Sequence, residues 1–253
     1  MRATMPIIVL ALAAVLTGCA AAPVPDLYAL SSRDSTLYAI RFDRPSTPIG
    51  RIAPIASNAD LAMLTDAGES TSGAPLACTI DRRANVVHTL RLSDGAVVES
   101  VRLDLDVWVT RRGLARSPDG RFFALLPGMN LRTIDPATGA TAMIGCVVGL
   151  DGGATMIEAL AFSPDGELFA LGSAGTRFSN ALYRIDTLTA EATHVADLPI
   201  PDADALAFAR GFLYAADAKG DDAELWRIDP ATGELVSLGT TGIPALNGLM
   251  GPR

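Results

Sequence analysis

The sequence predicts an all-β protein, a β-propeller of five four-stranded blades. A group of four short strands recurs from Asp26 onwards with a period of about 46 residues, which lies within the usual range for propeller repeats. Each predicted strand is apolar or alternates apolar and polar residues, and turn residues bound it, as in a meandering antiparallel sheet. The first repeat lacks its innermost strand, whereas the C-terminal segment supplies a spare one. Pairing of these two segments would close the ring and leave no open sheet edge.

The strands of a blade are labelled a to d from the central axis outwards. Blade 1 begins on strand b, and its predicted strands are 26–30, 36–42 and 48–52. The predicted strands of blade 2 are 61–64, 75–80, 86–92 and 96–103, and those of blade 3 are 113–116, 121–126, 130–134 and 140–148. The stretch 53–73 is long enough to contain further strands, so six blades is the alternative prediction.

Blades 4 and 5 are the clearest repeats. Blade 4 reads Ile157-Glu-Ala-Leu-Ala-Phe-Ser-Pro-Asp-Gly-Glu-Leu-Phe-Ala-Leu-Gly172 and continues with strands at 181–186 and 192–198. The predicted strands of blade 5 are 203–208, 211–216, 224–229 and 235–239. The segment 245–251 then matches strand a once more, and we expect it to complete blade 1.

Repeated aspartates stand in the predicted turns. Ser117-Pro-Asp-Gly120 and Ser163-Pro-Asp-Gly166 place Pro second and Gly fourth, as type I turns prefer. The run Asp-Pro-Ala-Thr-Gly occurs at 135–139 and 229–233, between strands c and d, where Gly is free to take a positive φ. Metal ligation by these aspartates is the alternative, but their place at hairpin reversals favours a turn role.

These repeats resemble a known class of proteins. The runs ALAFSPDGELFALGS, LYRID and LWRIDPATGELVSLGT are similar to repeats of bacterial extracytoplasmic β-propellers of the NHL, YVTN and TolB-like kind. The resemblance covers nearly all of the chain after residue 25 and is strongest from Gly113 onwards. It implies a propeller of the cell envelope, and such propellers include scaffolds, binding modules, lactonases and quinoproteins.

Residues 1–18 have the features of a lipoprotein signal peptide. Arg2 supplies a positive charge, and 7–16 is an apolar run too short to span a bilayer. Leu16-Thr-Gly-Cys19 resembles a bacterial lipobox, which implies cleavage before Cys19 and acylation there, with palmitate among the acyl chains. By resemblance to lipoprotein sorting signals, Ala20 in place of Asp implies the periplasmic face of the outer membrane. Residues 19–25 are then the acylated cysteine and its tether, and 26–253 the propeller; a plain secretory signal is the alternative.

The chain is acidic, with 28 Asp and Glu against 20 Lys and Arg and a formal net charge of −8. Lys219 is the single lysine, and no basic stripe is present, so we expect no nucleic-acid partner. No second apolar run approaches membrane-spanning length. The sequence therefore predicts a monomer held at the membrane by its lipid anchor, with an envelope protein as the candidate partner.

Two cysteines remain after the leader. The repeat pattern places Cys78 on strand b of blade 2 and Cys146 on strand d of blade 3. These positions differ by two strand spacings, roughly 10 Å, which exceeds the reach of a disulfide without local distortion. Two buried free thiols are therefore favoured over a bridge.

Polar residues recur at equivalent positions near the start of the innermost strands. The aligned positions are Ala59, Arg112, Glu158, Asp204 and Asn247. They could form a ligand ring at the channel mouth, with Arg112 as counter-ion and with side-chain oxygens that suit Ca²⁺ from the other three polar residues. The alternative is a solvated rim in which Arg112 neutralises a carboxylate, and it is favoured because such a rim tolerates any polar residue. Nearby loops add Asp151, Asp202, Asp217, Asp221 and Asp222.

The sequence offers no convincing catalytic set. His88 and His194 fall on strands c and d, away from the expected mouth, so neither is a good candidate for a general base. Trp108 and Trp226 are expected to pack between blades. The leading prediction is a non-enzymatic binding or scaffold module without a cofactor. The alternative is a calcium-dependent hydrolase similar to propeller lactonases, with Glu158, Asp204 and Asn247 as metal ligands.

Overall fold

A computed structural model describes residues 24–52, 58–63, 75–81, 83–105, 113–126, 128–151, 154–173, 180–201, 203–217 and 220–252. Within these ranges the chain forms five antiparallel four-stranded sheets and no helix. The innermost strands of neighbouring sheets contact one another in a closed ring, so the sheets are the blades of a propeller. The prediction of five blades is confirmed. No described segment forms a helix that could cross a bilayer.

Twenty strands make up the blades. In chain order they are β1 (Leu27–Ser31), β2 (Thr36–Arg41), β3 (Arg44–Arg51), β4 (Asn58–Met63), β5 (Leu76–Asp81), β6 (Val86–Arg91), β7 (Val97–Arg102), β8 (Leu114–Arg116), β9 (Phe122–Leu126), β10 (Asn130–Ile134), β11 (Thr141–Cys146), β12 (Met156–Phe162), β13 (Leu168–Ser173), β14 (Asn180–Ile185), β15 (Ala192–Leu198), β16 (Ala203–Ala209), β17 (Phe212–Asp217), β18 (Glu224–Ile228), β19 (Leu235–Thr240) and β20 (Leu246–Met250). Blade 1 is β20-β1-β2-β3, and the following groups of four strands are blades 2 to 5.

Two strands begin three or more residues earlier than the sequence pattern predicts. β3 starts at Arg44 instead of residue 48 and includes Pro45 and Pro48. Because β3 is the outer edge of its blade, a proline can sit there without removing a ladder hydrogen bond. β4 starts at Asn58 instead of residue 61, and its pairing with β5 is irregular between Asn58 and Leu61.

The ring closes as predicted, through strands from the two ends of the described chain. β20 pairs antiparallel with β1, and Leu249 lies opposite Ala29. Leu246, Leu249 and Leu27 are completely or almost completely buried in a cluster that continues into blade 5. Apolar burial of this kind supplies most of the stabilising free energy. The closing strand is therefore part of the core.

The turns between strands c and d fit against the preceding blade. Gly139 has a φ of +75°, and a Cβ at this position would lie 2.0 Å from the carbonyl oxygen of Arg102 in blade 2. Gly233 approaches Ala196 of blade 4 in the same way, with 2.1 Å between the two Cβ positions. These glycines were predicted for their positive φ, and the contact between blades is a second reason why no side chain fits there.

Both cysteines of the propeller are free thiols. Cys78 on β5 is fully buried, and burial raises the pKa of its thiol to about 12. Cys146 is exposed, so the expectation that it would be buried is wrong. It is the last residue of β11, which is the outermost strand of blade 3 and has no further strand to cover it.

Candidate functional site

Three residues of the predicted ring occupy one structural position. Glu158, Asp204 and Asn247 are each the extra residue of a β-bulge in an innermost strand, where two residues oppose one on strand b. A bulge changes the direction of a side chain and is frequent next to functional sites. The flanking pairs are Ile157↔Gly172 and Ala159↔Leu171, Ala203↔Asp217 and Ala205↔Ala216, and Leu246↔Ser31 and Gly248↔Leu30.

These three residues follow one another around the channel. Strand β12 contacts β16, and β16 contacts β20, so blades 4, 5 and 1 present Glu158, Asp204 and Asn247 in sequence. We call the end of the channel at which the innermost strands begin the upper face, and these three residues the polar arc. Glu158 and Asp204 are half-buried, and Asn247 is buried. The arc thus offers two carboxylates and an amide on adjacent strands of a rigid ring.

The rest of the predicted ring is described only in part. Ala59 lies between the pairs Asn58↔Asp81 and Leu61↔Thr79, so the backbone of β4 has its irregularity at the matching place. Arg112 lies outside the described residues, and its role as counter-ion remains a prediction. Asp202 and Trp108 also fall outside them.

The side chain of Asn247 is held by blade 1. The hydroxyl of Ser32 donates to Asn247 Oδ1, and the backbone N–H of Ser32 donates to the carbonyl of Ala245 over 3.0 Å. The hydroxyl of Ser31 donates to the carbonyl of Pro244 over 2.6 Å. The loop after β1 is therefore tied to the start of β20, which fixes the orientation of the amide at the upper face.

Asp217 adds a carboxylate whose position the sequence did not predict correctly. The pattern placed it in a loop, but it is the last residue of β17 and is half-buried. Desolvation by burial raises the pKa of its carboxyl. The N–H of Glu224 donates to Asp217 Oδ1 over 2.9 Å, and this hydrogen bond lowers the pKa. The negative charges of Glu224, Asp204 and Asp222 raise the pKa further. Blade 5 therefore concentrates negative charge at the upper face, next to the polar arc.

The other loop acids have defined contacts. Asp221 forms an ion pair with Arg33 of blade 1, and Asp222 accepts the N–H of Gly242 over 2.6 Å. Asp151 is exposed, and its carbonyl accepts the hydroxyl of Tyr183 over 2.6 Å. Among the described residues, no group of three or more His, Cys, Asp or Glu side chains is arranged to hold a metal ion.

Neither histidine lies on an innermost strand. His88 is buried on β6, its Nδ1 lies 2.8 Å from the hydroxyl oxygen of Ser100, and burial lowers the pKa of its imidazole. His194 lies on β15, the outermost strand of blade 4, with Nε2 2.9 Å from a carboxylate oxygen of Asp197. Trp226 is buried between blades 4 and 5, as expected. These positions place both imidazoles away from the polar arc.

The repeated aspartates sit in their turns. Asp135, Asp186 and Asp229 each accept the backbone N–H two residues further on, over 2.9, 2.7 and 2.8 Å. Hydrogen bonds from turn residues lower the pKa of all three carboxyls. Their oxygens thus serve the local backbone, as in Asx turns.

A second feature, which sequence reasoning missed, lies at the opposite end of the channel, the lower face. A cavity of about 490 Å³ opens there between the ends of the innermost strands. The lining residues are Pro118, Phe162, Pro164, Phe208, Ala209, Arg210, Gly211 and Pro252. The sequence signal was an aromatic residue near the end of strand a in blades 4 and 5.

Comparisons with known proteins identify the repeats. A family model described as "Repeat of unknown function (DUF6923)" matches residues 117–250, which is more than half of the chain. A search of curated proteins gave no match.

Solved structures similar to this chain are propellers of varied origin. A chain of the nidogen/laminin complex shares 16% identity over 88% of this chain and 82% of that chain, with a TM-score of 0.52. A gluconolactonase from Xanthomonas campestris shares 17% identity over 71% of this chain and 61% of that one, with a TM-score of 0.47. A putative 6-phosphogluconolactonase from Bacteroides uniformis shares 14% identity over 85% and 66%, with a TM-score of 0.43. At these identities the likeness concerns the fold alone.

Proposed function

Since the chain belongs to the family of repeats of unknown function designated DUF6923, we propose a function from the geometry of the candidate site. The protein is a lipid-anchored β-propeller of the cell envelope that acts as a binding module. The polar arc of Glu158, Asp204 and Asn247 is its recognition surface. Propellers carry ligands on loops and strand ends held by a rigid ring, which suits recognition at this face.

One observation carries this proposal: the three arc residues share the bulge position on three consecutive innermost strands. A rim that merely tolerates polar residues does not require equivalent backbone bulges. The acids near the arc, including Asp217 and Glu224, favour a partner surface that presents positive charge or hydroxyl groups. A basic segment of another envelope protein has this chemistry.

The anchor is the second part of the proposal. Acylation of Cys19 would hold the propeller at the membrane, since several acyl chains anchor stably where one would not. Membrane fractionation of wild-type protein and a Cys19→Ser variant tests it. We expect the variant to leave the membrane fraction and to lack the mass of the acyl chains. An unchanged distribution with an unmodified Cys19 would contradict the anchor.

The recognition surface is tested by purification of partners from native envelopes. The Glu158→Gln and Asp204→Asn double variant removes two charges of the arc while keeping side-chain size. Asp165→Asn is the matched control, because Asp165 is exposed in a turn at the lower face. We expect the double variant to lose a partner that the wild type and the control retain. Equal recovery by all three proteins would overturn the assignment of the arc.

A calcium-dependent hydrolase is the second candidate, favoured by the half-buried carboxyl of Asp217, whose pKa is raised by burial and further by the charges of Glu224, Asp204 and Asp222. A bound cation would offset this repulsion, and Ca²⁺ prefers carboxylate and amide oxygens. Thermal melting with excess Ca²⁺ and then with EDTA separates the candidates. A ligand at a hundredfold excess over its Kd stabilises the folded state by about 2.7 kcal/mol. A calcium-dependent rise in Tm that Asp204→Asn abolishes would show the metal site, and hydrolysis of lactones by the calcium-loaded protein would then favour the hydrolase; no rise would contradict it.

A further inference from the structure

The junction between blades 5 and 1 is built differently from the other four. In those four, a turn residue with positive φ packs against strand d of the preceding blade. The pairs are Gly95 on Gly50, Gly139 on Arg102, Ala190 on Gly145 and Gly233 on Ala196. In blade 1 the corresponding turn is shorter, because Arg41 pairs directly with Arg44 and leaves only Phe42 and Asp43 between them.

The short turn leaves a groove where the other junctions are filled. The groove encloses about 150 Å³ between the turn of blade 1 and the outer strands of blade 5. Arg41 and Arg44 line one side, and Leu225 and Leu238 line the other. We call it the junction groove. It combines two arginines with leucine and threonine residues.

The junction groove adjoins the place where the chain leaves the propeller towards Cys19. Arg41 Nη1 donates to the carbonyl of Val24, the first described residue, over 3.4 Å. Five residue steps separate Cys19 from Val24, and a fully extended chain covers at most about 18 Å over that length. If Cys19 carries the anchor, as the proposed function holds, the groove lies within that reach of the lipid surface.

The surroundings of the groove suit a membrane surface. Phe42 and Leu238 are 39% and 41% exposed and supply apolar contact. Arg210 lies over the ring of Phe42 at 5.5 Å and forms an ion pair with Asp26, and Arg44 pairs with the exposed Asp43 over 3.2 Å. Arg41, Arg44 and Arg210 therefore meet the acids Asp26 and Asp43 around the turn of blade 1. On the blade 5 side, Glu224 lies opposite the groove residue Thr240, and Asp222 accepts the N–H of Gly242, next to the groove residue Thr241.

We propose that the junction groove binds the phosphate of an anionic phospholipid in the membrane that holds the anchor. Guanidinium groups match phosphate in geometry and charge. The pair of Arg44 with Asp43 is solvent-exposed and therefore weak, so a phosphate can replace the carboxylate. The blade 1 sector then rests on the lipid headgroups, and the anchor and the groove act together.

Hydrogen exchange of the full-length acylated protein tests this contact. The protein is placed in phosphatidylcholine vesicles with and without phosphatidylglycerol, and exchange is followed in the segment 38–46. The corresponding turn of blade 3, residues 135–140, lies across the ring and serves as the internal control. We expect slower exchange at 38–46, and not at 135–140, when phosphatidylglycerol is present, and we expect high salt to remove the difference. Equal exchange in both vesicles would overturn the proposal.

Charge reversal identifies the residues responsible. The Arg41→Glu and Arg44→Glu double variant should lose the protection, whereas Arg121→Glu, on the exposed turn after β8, should keep it. Retained protection in the double variant would contradict the role of the groove.

Separate measurements can contradict the proposed anchor and the proposed lipid contact of the junction groove. If mass spectrometry finds no acyl chain on Cys19, the proposed anchor is wrong. Binding of phospholipid by the junction groove can still be tested by sedimentation of the unacylated full chain with phosphatidylglycerol vesicles. Each arginine removed should then weaken partitioning about fivefold, and no change in partitioning would contradict the groove.

Discussion

Glu158 and Asp204 occupy the same bulge in two neighbouring innermost strands, β12 and β16. The residue before the bulge pairs with Gly172 in blade 4 and with Asp217 in blade 5, so Gly172 and Asp217 hold equivalent positions on strand b. The backbone of the two blades is therefore alike at this point, while blade 5 carries an additional carboxylate on strand b. This difference makes blade 5 the more acidic side of the polar arc.

Replacement of Asp217 by Asn should stabilise the protein at neutral pH. Its carboxyl pKa is raised in the folded state, so the ionised form costs stability above that pKa, and the cost disappears as the pH falls below the unfolded value. The N–H of Glu224 can still donate to the amide oxygen of Asn. We expect a gain of less than about 1 kcal/mol, since solvent screens part of the effect. Thermal melting from neutral pH down to about pH 3 measures it.

Asp229→Asn should have the opposite sign and serves as the matched control. Backbone N–H groups of Ala231 and Thr232 lower the carboxyl pKa of Asp229, so its charge stabilises the fold above the unfolded pKa and the contribution is lost as the pH falls through the folded pKa. The variant should melt below wild type at neutral pH, with the difference shrinking in acid. If both variants shifted the Tm at neutral pH in the same direction, the carboxylate charge would not be the cause of the shifts.

The contact between turn and neighbouring blade predicts unequal effects of two Gly→Ala substitutions. Gly139 and Gly166 both have positive φ, at +75° and +89°, but no atom lies within 4 Å of a Cβ at Gly166. Gly166→Ala should cost about 1 kcal/mol from backbone strain alone. Gly139→Ala should cost about 1–3 kcal/mol more, because its Cβ would meet the carbonyl of Arg102. Equal losses in urea denaturation would contradict the contact.

Closure of the ring predicts a large effect at Leu249. The side chain is buried in the cluster shared by blades 1 and 5, so Leu249→Ala should lower the free energy of unfolding by about 2–5 kcal/mol. Leu188 is 80% exposed, and Leu188→Ala should change the free energy of unfolding by no more than about 0.5 kcal/mol. A small effect at Leu249 would mean that β20 contributes little to the fold.

The two thiols should differ in reactivity. Cys146 is exposed and should react with an aromatic disulfide reagent in the folded protein. Cys78 is buried and has a thiol pKa of about 12, so it should react only after unfolding. Counting modified thiols by mass spectrometry before and after denaturation checks this. Rapid native labelling of Cys78 would contradict the packing of β5.

The repeat pattern predicted most of the fold because burial and turn chemistry are local. In blade 3, strand β10 spans 130–134, as predicted, since the turns on either side leave one register that buries its apolar face. The early start of β3 escaped prediction because Pro45 and Pro48 are normally read as the end of a strand. Edge position, which permits them, is a property of the assembled blade.

The candidate site was predicted less completely. Alignment of the innermost strands placed Glu158, Asp204 and Asn247 at equivalent positions, and the structure gives them one bulge register. The half-burial of Asp217 depends on how β17 ends against β16. The junction groove depends on the contact between blade 5 and blade 1, which no local pattern encodes.

Photo-crosslinking in living cells tests whether the polar arc is the recognition surface of the protein. A photoreactive amino acid is placed at Thr155, an exposed residue just before β12 at the upper face, in one variant and at Asp165 in another, and both are irradiated in the intact envelope. We expect one discrete crosslinked envelope protein from position 155 and none from position 165, because only Thr155 lies beside the polar arc. No crosslink from position 155, or the same products from both positions, would contradict the assignment of the upper face as the recognition surface.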